Sequence, residues 1–376
     1  MQNYINDLLT SVIAGVRFAD IITASTISHY LPLMKAKAVI PLDDYVNFED
    51  PVIKAFDYLY NLRHSDGKHY FFTLGSDVAL GSGSTPYNLG DLQYNADMLA
   101  REGQPDILDL YEQGQWNWET FLSIALACTR DTNADGVIDQ WGVSSRASYY
   151  ALQHIYHSNG ILPAELAENG KFVLNVQSVQ AQKCLQFLSD LNFVHKVYLN
   201  KNGVNDYLQG KVAMFLDYGW QNKNYLAAGT LNSVMAPLPL GPDISNSIAV
   251  VNPTLYGILV TNNSPAETAV VLRDISVSWD EEGKLLPELQ EIVDNFIKPW
   301  DPAFSGRATS SEREYNINFK FGKDVRVVVD YMQAFPNFMN RLGSLIATPV
   351  MNGSKSPAQA AQSASAELQA IIDEYN

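Results

Sequence analysis

The stretch DTNADGVIDQWG, residues 131–142, sets Asp131, Asn133, Asp135 and Asp139 at alternating positions around Gly136. A hard cation such as Ca2+ needs several oxygen ligands on a tightly curved backbone. An EF-type loop takes them from positions one, three, five, seven and nine, with glycine at six. Asp131, Asn133, Asp135, the carbonyl of Val137 and Asp139 fill those places, and Gly136 supplies the turn. The twelfth position is Gly142 rather than glutamate, so the bidentate carboxylate is missing and a sensor that swings a helix open is not expected. Two readings stand: a structural Ca2+ staple completed by water or a distant carboxylate, and a solvated polar turn that uses Asp and Asn for their turn chemistry.

Other chemistry finds less support. Glycoside hydrolysis needs two carboxyl groups about 5 to 9.5 Å apart across a sugar site, whereas these acids converge on one point. No GxSxG elbow, P-loop or HExxH motif is present. His154 and His157 share one face of an expected helix, but with no third ligand nearby they read as ordinary helical histidines. Cys128 and Cys184 sit among apolar residues at helical spacing and read as buried free thiols.

The elements that must position these groups follow from length and pattern. A chain of 376 residues suits two domains. With 47% hydrophobic and 18% charged residues and no apolar run long enough to span a bilayer, it reads as globular. A net charge of −16, with basic residues scattered, argues against nucleic acid as a partner. YINDLLTSVIAG has helical spacing and stops at Gly15, ADIITAS reads as a buried strand, and SHYLPLMKAKAVIPLDDYV gives a short helix and a turn at Pro41. Helix, strand, helix is one repeating unit of an α/β layer structure.

Farther along, KHYFFTLG is a strand candidate and GSGSTPYNLG a loop suited to a domain crossing. DLQYNADMLAREG runs from strand into helix, and NWETFLSIALACTR is a helix capped by Asn117 or Glu119. Trp116 and Trp118 anchor its start. WGVSS follows as a strand, then amphipathic helices to about Leu226. TLYGILVTN reads as a return crossing, and the last helix opens with a serine cap followed by proline.

Taken in order, LLTSVIAGVRFADIITA, KAVIPLDDYV, LQYNADMLAREG, GQWNWETF, YLQGKVAMFLDYGW, YGILVTNNSPAETA and AELQAIIDEY resemble the extracellular solute-binding proteins of bacterial ABC importers. The resemblance spans nearly the whole chain and is closest to the carbohydrate-binding class that includes maltose-binding protein. It implies an α/β fold of two lobes joined by crossing segments, with ligand in the cleft between them and closure by hinge motion. The expected lobes are residues 1–88 plus 257–331 and residues 89–256 plus 332–376. A first strand and helix, and ahead of them a signal sequence often carrying a lipidated cysteine, precede YINDLLTSVIAG in such proteins. The opening strand of the first lobe is therefore expected to be missing here.

The resemblance also implies a ligand site. Sugars offer apolar faces and a rim of hydroxyls, so binding proteins stack aromatics on the faces and aim polar groups at the rim. Trp220 falls where a sugar-stacking tryptophan stands, and Tyr149 and Tyr150 match a stacking pair at a strand-to-helix turn. Asn88 and Tyr87 lie at the first crossing, and Ser25 and Thr26 at the cleft mouth. Ala24 replaces the stacking residue found there in the family, which suggests a different subsite pattern. Tyr256 and Phe335, near the other crossings, are weaker candidates.

The expected role is therefore a non-enzymatic, extracytoplasmic and monomeric sugar-binding subunit that delivers its ligand to a membrane permease. The alternatives are a sensory binding protein that feeds a receptor kinase and a calcium-dependent enzyme acting on polysaccharide.

Overall fold

VAMFL, Val212–Leu216, is buried at every position, the pattern of a strand covered on both faces. In chain order the described strands are β1 (Ile21–Ala24), β2 (Leu92–Asn95), β3 (Trp141–Ser145), β4 (Ala164–Leu166), β5 (Phe172–Leu174), β6 (Tyr198–Asn202), β7 (Val212–Leu216), β8 (Ser233–Ala236), β9 (Ile248–Val251), β10 (Leu255–Ile258) and β11 (Arg326–Val329). The computed structural model describes residues 2–24, 27–49, 63–64, 66–72, 89–167, 169–251, 255–276, 309–319 and 325–376.

Five strands form one sheet in the order β6-β3-β7-β2-β8. β3 is parallel to β6 and β7, while β2 runs antiparallel to both β7 and β8. Helices pack on it with local sequence signals at their starts. Asn95 caps Ala96–Arg101, and Asp106 caps Ile107–Glu112. The helix Trp118–Ala127 is capped by Asn117 through a capping box with Thr120, which decides between the two expected caps. The final helix, Pro357–Asp373, has its serine cap at Ser356, boxed with Gln359, and Pro357 in its first turn.

A second body forms around β1 and β10, paired antiparallel from Ile21 with Ile258 to Ala24 with Leu255. Bridges from Val39 to Leu259 and from Phe72 to Tyr256 extend it. The helix Gln2–Ile13 sends Ile5 and Leu8 into the core, and the chain turns at Gly15 in the left-handed region, φ 65°. β9 and β11 pair in parallel at the junction: β9 leads into β10, and β11 follows the helix Glu312–Phe319.

That helix lies elsewhere than expected. The sequence reading placed residues 257–331 in the first lobe, yet Glu312–Phe319 covers the edge strand β8. Glu314 accepts from the Met235 amide at 2.7 Å, and Asn318 donates to the Met235 carbonyl at 2.9 Å. Arg313 reaches Asp109 and Glu112 of the helix Ile107–Glu112. An open sheet edge carries unpaired backbone groups, and these side chains supply partners for it. The expected boundary at residues 256–257 falls inside β10.

Candidate functional site

β3 and β7 are parallel neighbours, so their carboxyl ends open on the same side of the sheet, and the start of antiparallel β2 joins them through the pairing of Leu92 with Leu216. After β3 the chain passes Arg146 and Ala147 and enters the helix Ser148–Ser158, whose first turn has no side-chain cap. After β7 it passes Asp217 and Tyr218, makes a short turn over Gly219–Gln221, and enters the helix Asn222–Ala228.

Aromatic rings gather there. Tyr149 and Tyr150 have ring centroids 4.4 Å apart, and Tyr218 stands edge-on to Tyr150 at 5.2 Å. Trp220, two residues beyond Tyr218, is 48% exposed, with the Lys223 ammonium 5.8 Å from its ring centroid. The helical segment that follows Phe338–Leu342 loosens into a π-turn over Gly343–Ala347 beside Tyr149. A Cβ at Gly343 would stand 3.0 Å from the Cβ of Tyr149, so glycine permits that close approach.

Polar groups surround the rings. Asp217 is fully buried; its carboxylate accepts from Arg146 Nη2 at 2.6 Å and from the Tyr225 hydroxyl. Arg146, three residues before Tyr149, remains partly exposed and is held by Asp217, so it presents a fixed guanidinium at the site. Asp91, just ahead of β2, accepts from the Gly219 amide at 2.9 Å. Burial raises its pKa, the charge of Asp217 adds to that, and His154 and the Gly219 amide oppose it. Asp330, 2% exposed at the end of β11, is pushed up to about 7 by burial, with the charge of Asp91 adding to it.

His154 and His157 are both buried on the helix Ser148–Ser158. His154 Nδ1 lies 2.6 Å from the Tyr150 carbonyl. Burial, with the charge of His154, lowers His157 to about 3, so its 3.9 Å approach to Asp330 is not an ion pair near neutral pH. No group of three or more His, Cys, Asp or Glu placed to hold a metal ion occurs among the described residues.

The acidic loop directs its oxygens inward to its own backbone. Asp131 accepts from the amides of Asn133, Asp135 and Gly136, Asp135 accepts from Val137, and Asp139 accepts from the amide and hydroxyl of Thr132. Reciprocal backbone bonds between Arg130 and Gln140 close it. Gly142 explains the absent twelfth ligand: a Cβ there would lie 2.2 Å from the Ala125 carbonyl oxygen, so β3 admits no side chain against the helix Trp118–Ala127. In this arrangement the loop is held together by hydrogen bonds among its own residues.

Of the expected ligand residues, Tyr149 and Tyr150 are in contact, and Trp220 follows from the same strand end as Tyr218. Tyr256 lies on β10 in the second body, bonded through its backbone to Phe72. Phe335 is corrected: it is 2% exposed, enclosed by Phe172, Phe338 and Tyr375, because it faces the core packed under the final helix and not a surface. Ser25, Thr26, Tyr87 and Asn88 lie outside the described residues. Sequence reading missed Tyr218, the Arg146–Asp217 pair, Gln153 and Asp330. Asp217 and Tyr218 had a signal in their place directly after an all-buried strand; Gln153 looks like any polar residue on a helix.

No curated protein matches the sequence. Several solved structures share the fold. The maltose/maltodextrin-binding domain MalE from Bdellovibrio bacteriovorus, bound to maltotriose, is 18% identical with a TM-score of 0.60, over 99% of this chain and 89% of that one. The ABC substrate-binding protein Lmo0181 from Listeria monocytogenes, in complex with cycloalternan, is 15% identical with a TM-score of 0.63 over the same shares. UgpB from Mycobacterium tuberculosis, in complex with glycerophosphocholine, is 14% identical with a TM-score of 0.66, over 99% of this chain and 88% of that one. This is the two-lobed α/β architecture of solute-binding proteins. Residues 1–272 match the profile of one family, and that match covers most of the sequence. The chain belongs to the bacterial extracellular solute-binding proteins.

Proposed function

We propose that this protein is the extracytoplasmic solute-binding subunit of an ABC importer and that its solute is a sugar or oligosaccharide held between the lobes. The observation that carries the reading is the cluster of Tyr149, Tyr150 and Tyr218, with half-exposed Trp220, at the carboxyl ends of β3 and β7. Aromatic faces suit the C–H faces of a sugar, and Arg146 supplies a fixed donor for its hydroxyls. The maltotriose-bound and cycloalternan-bound neighbours support a carbohydrate. In this reading ligand binds the open form, contacts with both lobes favour closure, and a permease receives the closed complex. The protein acts as a monomer without catalysis, and a lipid anchor outside the cytoplasm would hold it near the membrane.

The glycerophosphocholine-bound neighbour motivates a second reading, a glycerophosphodiester solute. Thermal unfolding against maltotriose, cyclic and linear glucans, monosaccharides and glycerophosphocholine separates the two, since a ligand of the native state raises the melting temperature. A rise with a saccharide supports the first reading. A rise with glycerophosphocholine alone overturns it.

Calcium is a separate proposal, supported only by the oxygen spacing from Asp131 to Asp139. Ca2+ should raise the melting temperature of the wild type and leave Asp131→Ala unchanged; equal curves in Ca2+ and chelator dismiss the metal.

A further inference from the structure

The junction between the two bodies contains a chain of three hydrogen bonds, closed through the backbone of residues 330–333, that reaches the aromatic cluster. Asp330 terminates β11 and caps the short turn Tyr331–Gln333, accepting from the Met332 amide at 2.9 Å. That turn packs on the turn Ile27–His29, next to β1, and on β4. The ring of Tyr331 meets Phe172 of β5 at 5.1 Å. With Gln333 of the turn also bonded to Tyr218, just after β7, the turn touches both bodies.

Gln153, 1% exposed on the helix that carries Tyr149 and Tyr150, donates from Nε2 to Asp330 at 3.0 Å. Its Oε1 accepts from the Tyr218 hydroxyl at 3.1 Å, and that hydroxyl accepts from Gln333 Nε2 at 3.3 Å. Both ends of a buried amide are thus used, and the circuit runs Asp330, Gln153, Tyr218, Gln333 and back to the turn. A buried polar network keeps its geometry only when each member is satisfied, so displacing one member disturbs the rest. Tyr218 is the member in ring contact with Tyr150.

We propose that Gln153 and Asp330 are positioning residues that couple occupancy of the tyrosine cluster to lobe closure, passing movement of Tyr218 to the turn between the bodies. This rests on the reading that the cluster is the ligand platform. The bistable element is the Asp330-capped turn, which both the ligand side and the junction side bias. The Asp330 carboxylate is an acceptor toward both Gln153 and Met332, so its ionised form completes the circuit. The groups facing it are Asp91 ahead of β2, His154 and His157 on the same helix as Gln153, and Tyr218 after β7. His29 lies in the turn that the Asp330-capped turn packs on, and the Arg326–Glu165 pair joins β11 to β4. His157 stays neutral across the range in which Asp330 titrates.

The test uses the whole protein with Tyr218→Phe, which deletes one hydroxyl, Gln153→Leu and Asp330→Asn. Hydrogen exchange is followed without ligand at the amides of Tyr331–Gln333, and maltotriose affinity is measured from pH 5.5 to 8.5. The coupling predicts exchange about tenfold faster at those amides in Tyr218→Phe and Gln153→Leu, a size ordinary for coupled sites. Maltotriose affinity should weaken similarly in Gln153→Leu through faster dissociation, and the wild-type loss of affinity toward low pH should vanish in Asp330→Asn. Unchanged exchange at the turn in Tyr218→Phe overturns the coupling, whatever the solute. Altered exchange with no saccharide binding by the wild type sustains the coupling and rejects the carbohydrate reading instead.

Discussion

Replacing Trp220 with alanine removes the most accessible aromatic face of the site while leaving the sheet beneath it intact. Trp220 is 48% exposed, and a tryptophan side chain carries roughly 250 Å² of surface, so about 120 Å² is open to a ligand. At about 25 cal/mol per Å², full coverage would contribute roughly 3 kcal/mol, and coverage of one face about half of that. The expected loss is therefore about tenfold in Kd, rising past roughly a hundredfold if the ligand wraps the ring. Isothermal titration with the saccharide that raises the melting temperature measures it, and far-ultraviolet circular dichroism of the ligand-free variant checks the fold. The loss should be largely in the dissociation rate, because removing a contact leaves the encounter little changed. A Kd within twofold of wild type, in a folded variant, would refute the assignment of Trp220 to the ligand surface.

Gly142→Ala should destabilise the protein by about 3 kcal/mol, the upper end of overpacking costs, because the intruding methyl meets backbone of Ala125 and not a side chain that can turn away. A urea midpoint close to wild type would show that β3 and the preceding helix can separate. Glu314 is fully buried and pushed up to about 7 by burial, against the hydrogen bonds of Ser310 and the Met235 amide. Since its folded pKa lies above the ordinary value, the native state holds this proton more tightly, and stability from this group falls as pH rises to about 7, then levels. Measured against Glu314→Gln, wild-type stability should decline by on the order of 3 kcal/mol between pH 4.5 and 7; a constant difference would contradict the burial argument. Both cysteines are buried, with thiols pushed up to about 12, so neither should react with a thiol reagent at pH 8 until the protein is unfolded. Labelling of either in the native state would count against the packing described.

The features written in local sequence were legible because their causes are local. The caps at Asn117 and Ser356, the stop at Gly15 and the strand WGVSS depend on residues within one turn of each other, and the structure places them where that chemistry predicts. Tyr149, Tyr150 and Trp220 were singled out by the resemblance to carbohydrate-binding proteins rather than by any local signal. What tertiary structure decided are contacts between residues far apart in the chain. Phe335 is core because the final helix closes over it, and Glu312–Phe319 joins the larger sheet because the edge of β8 lacks partners. Gln153 gained a role only when folding set Asp330 and Tyr218 at its two ends, as hydrogen bonds act over about 3 Å whatever the separation in sequence.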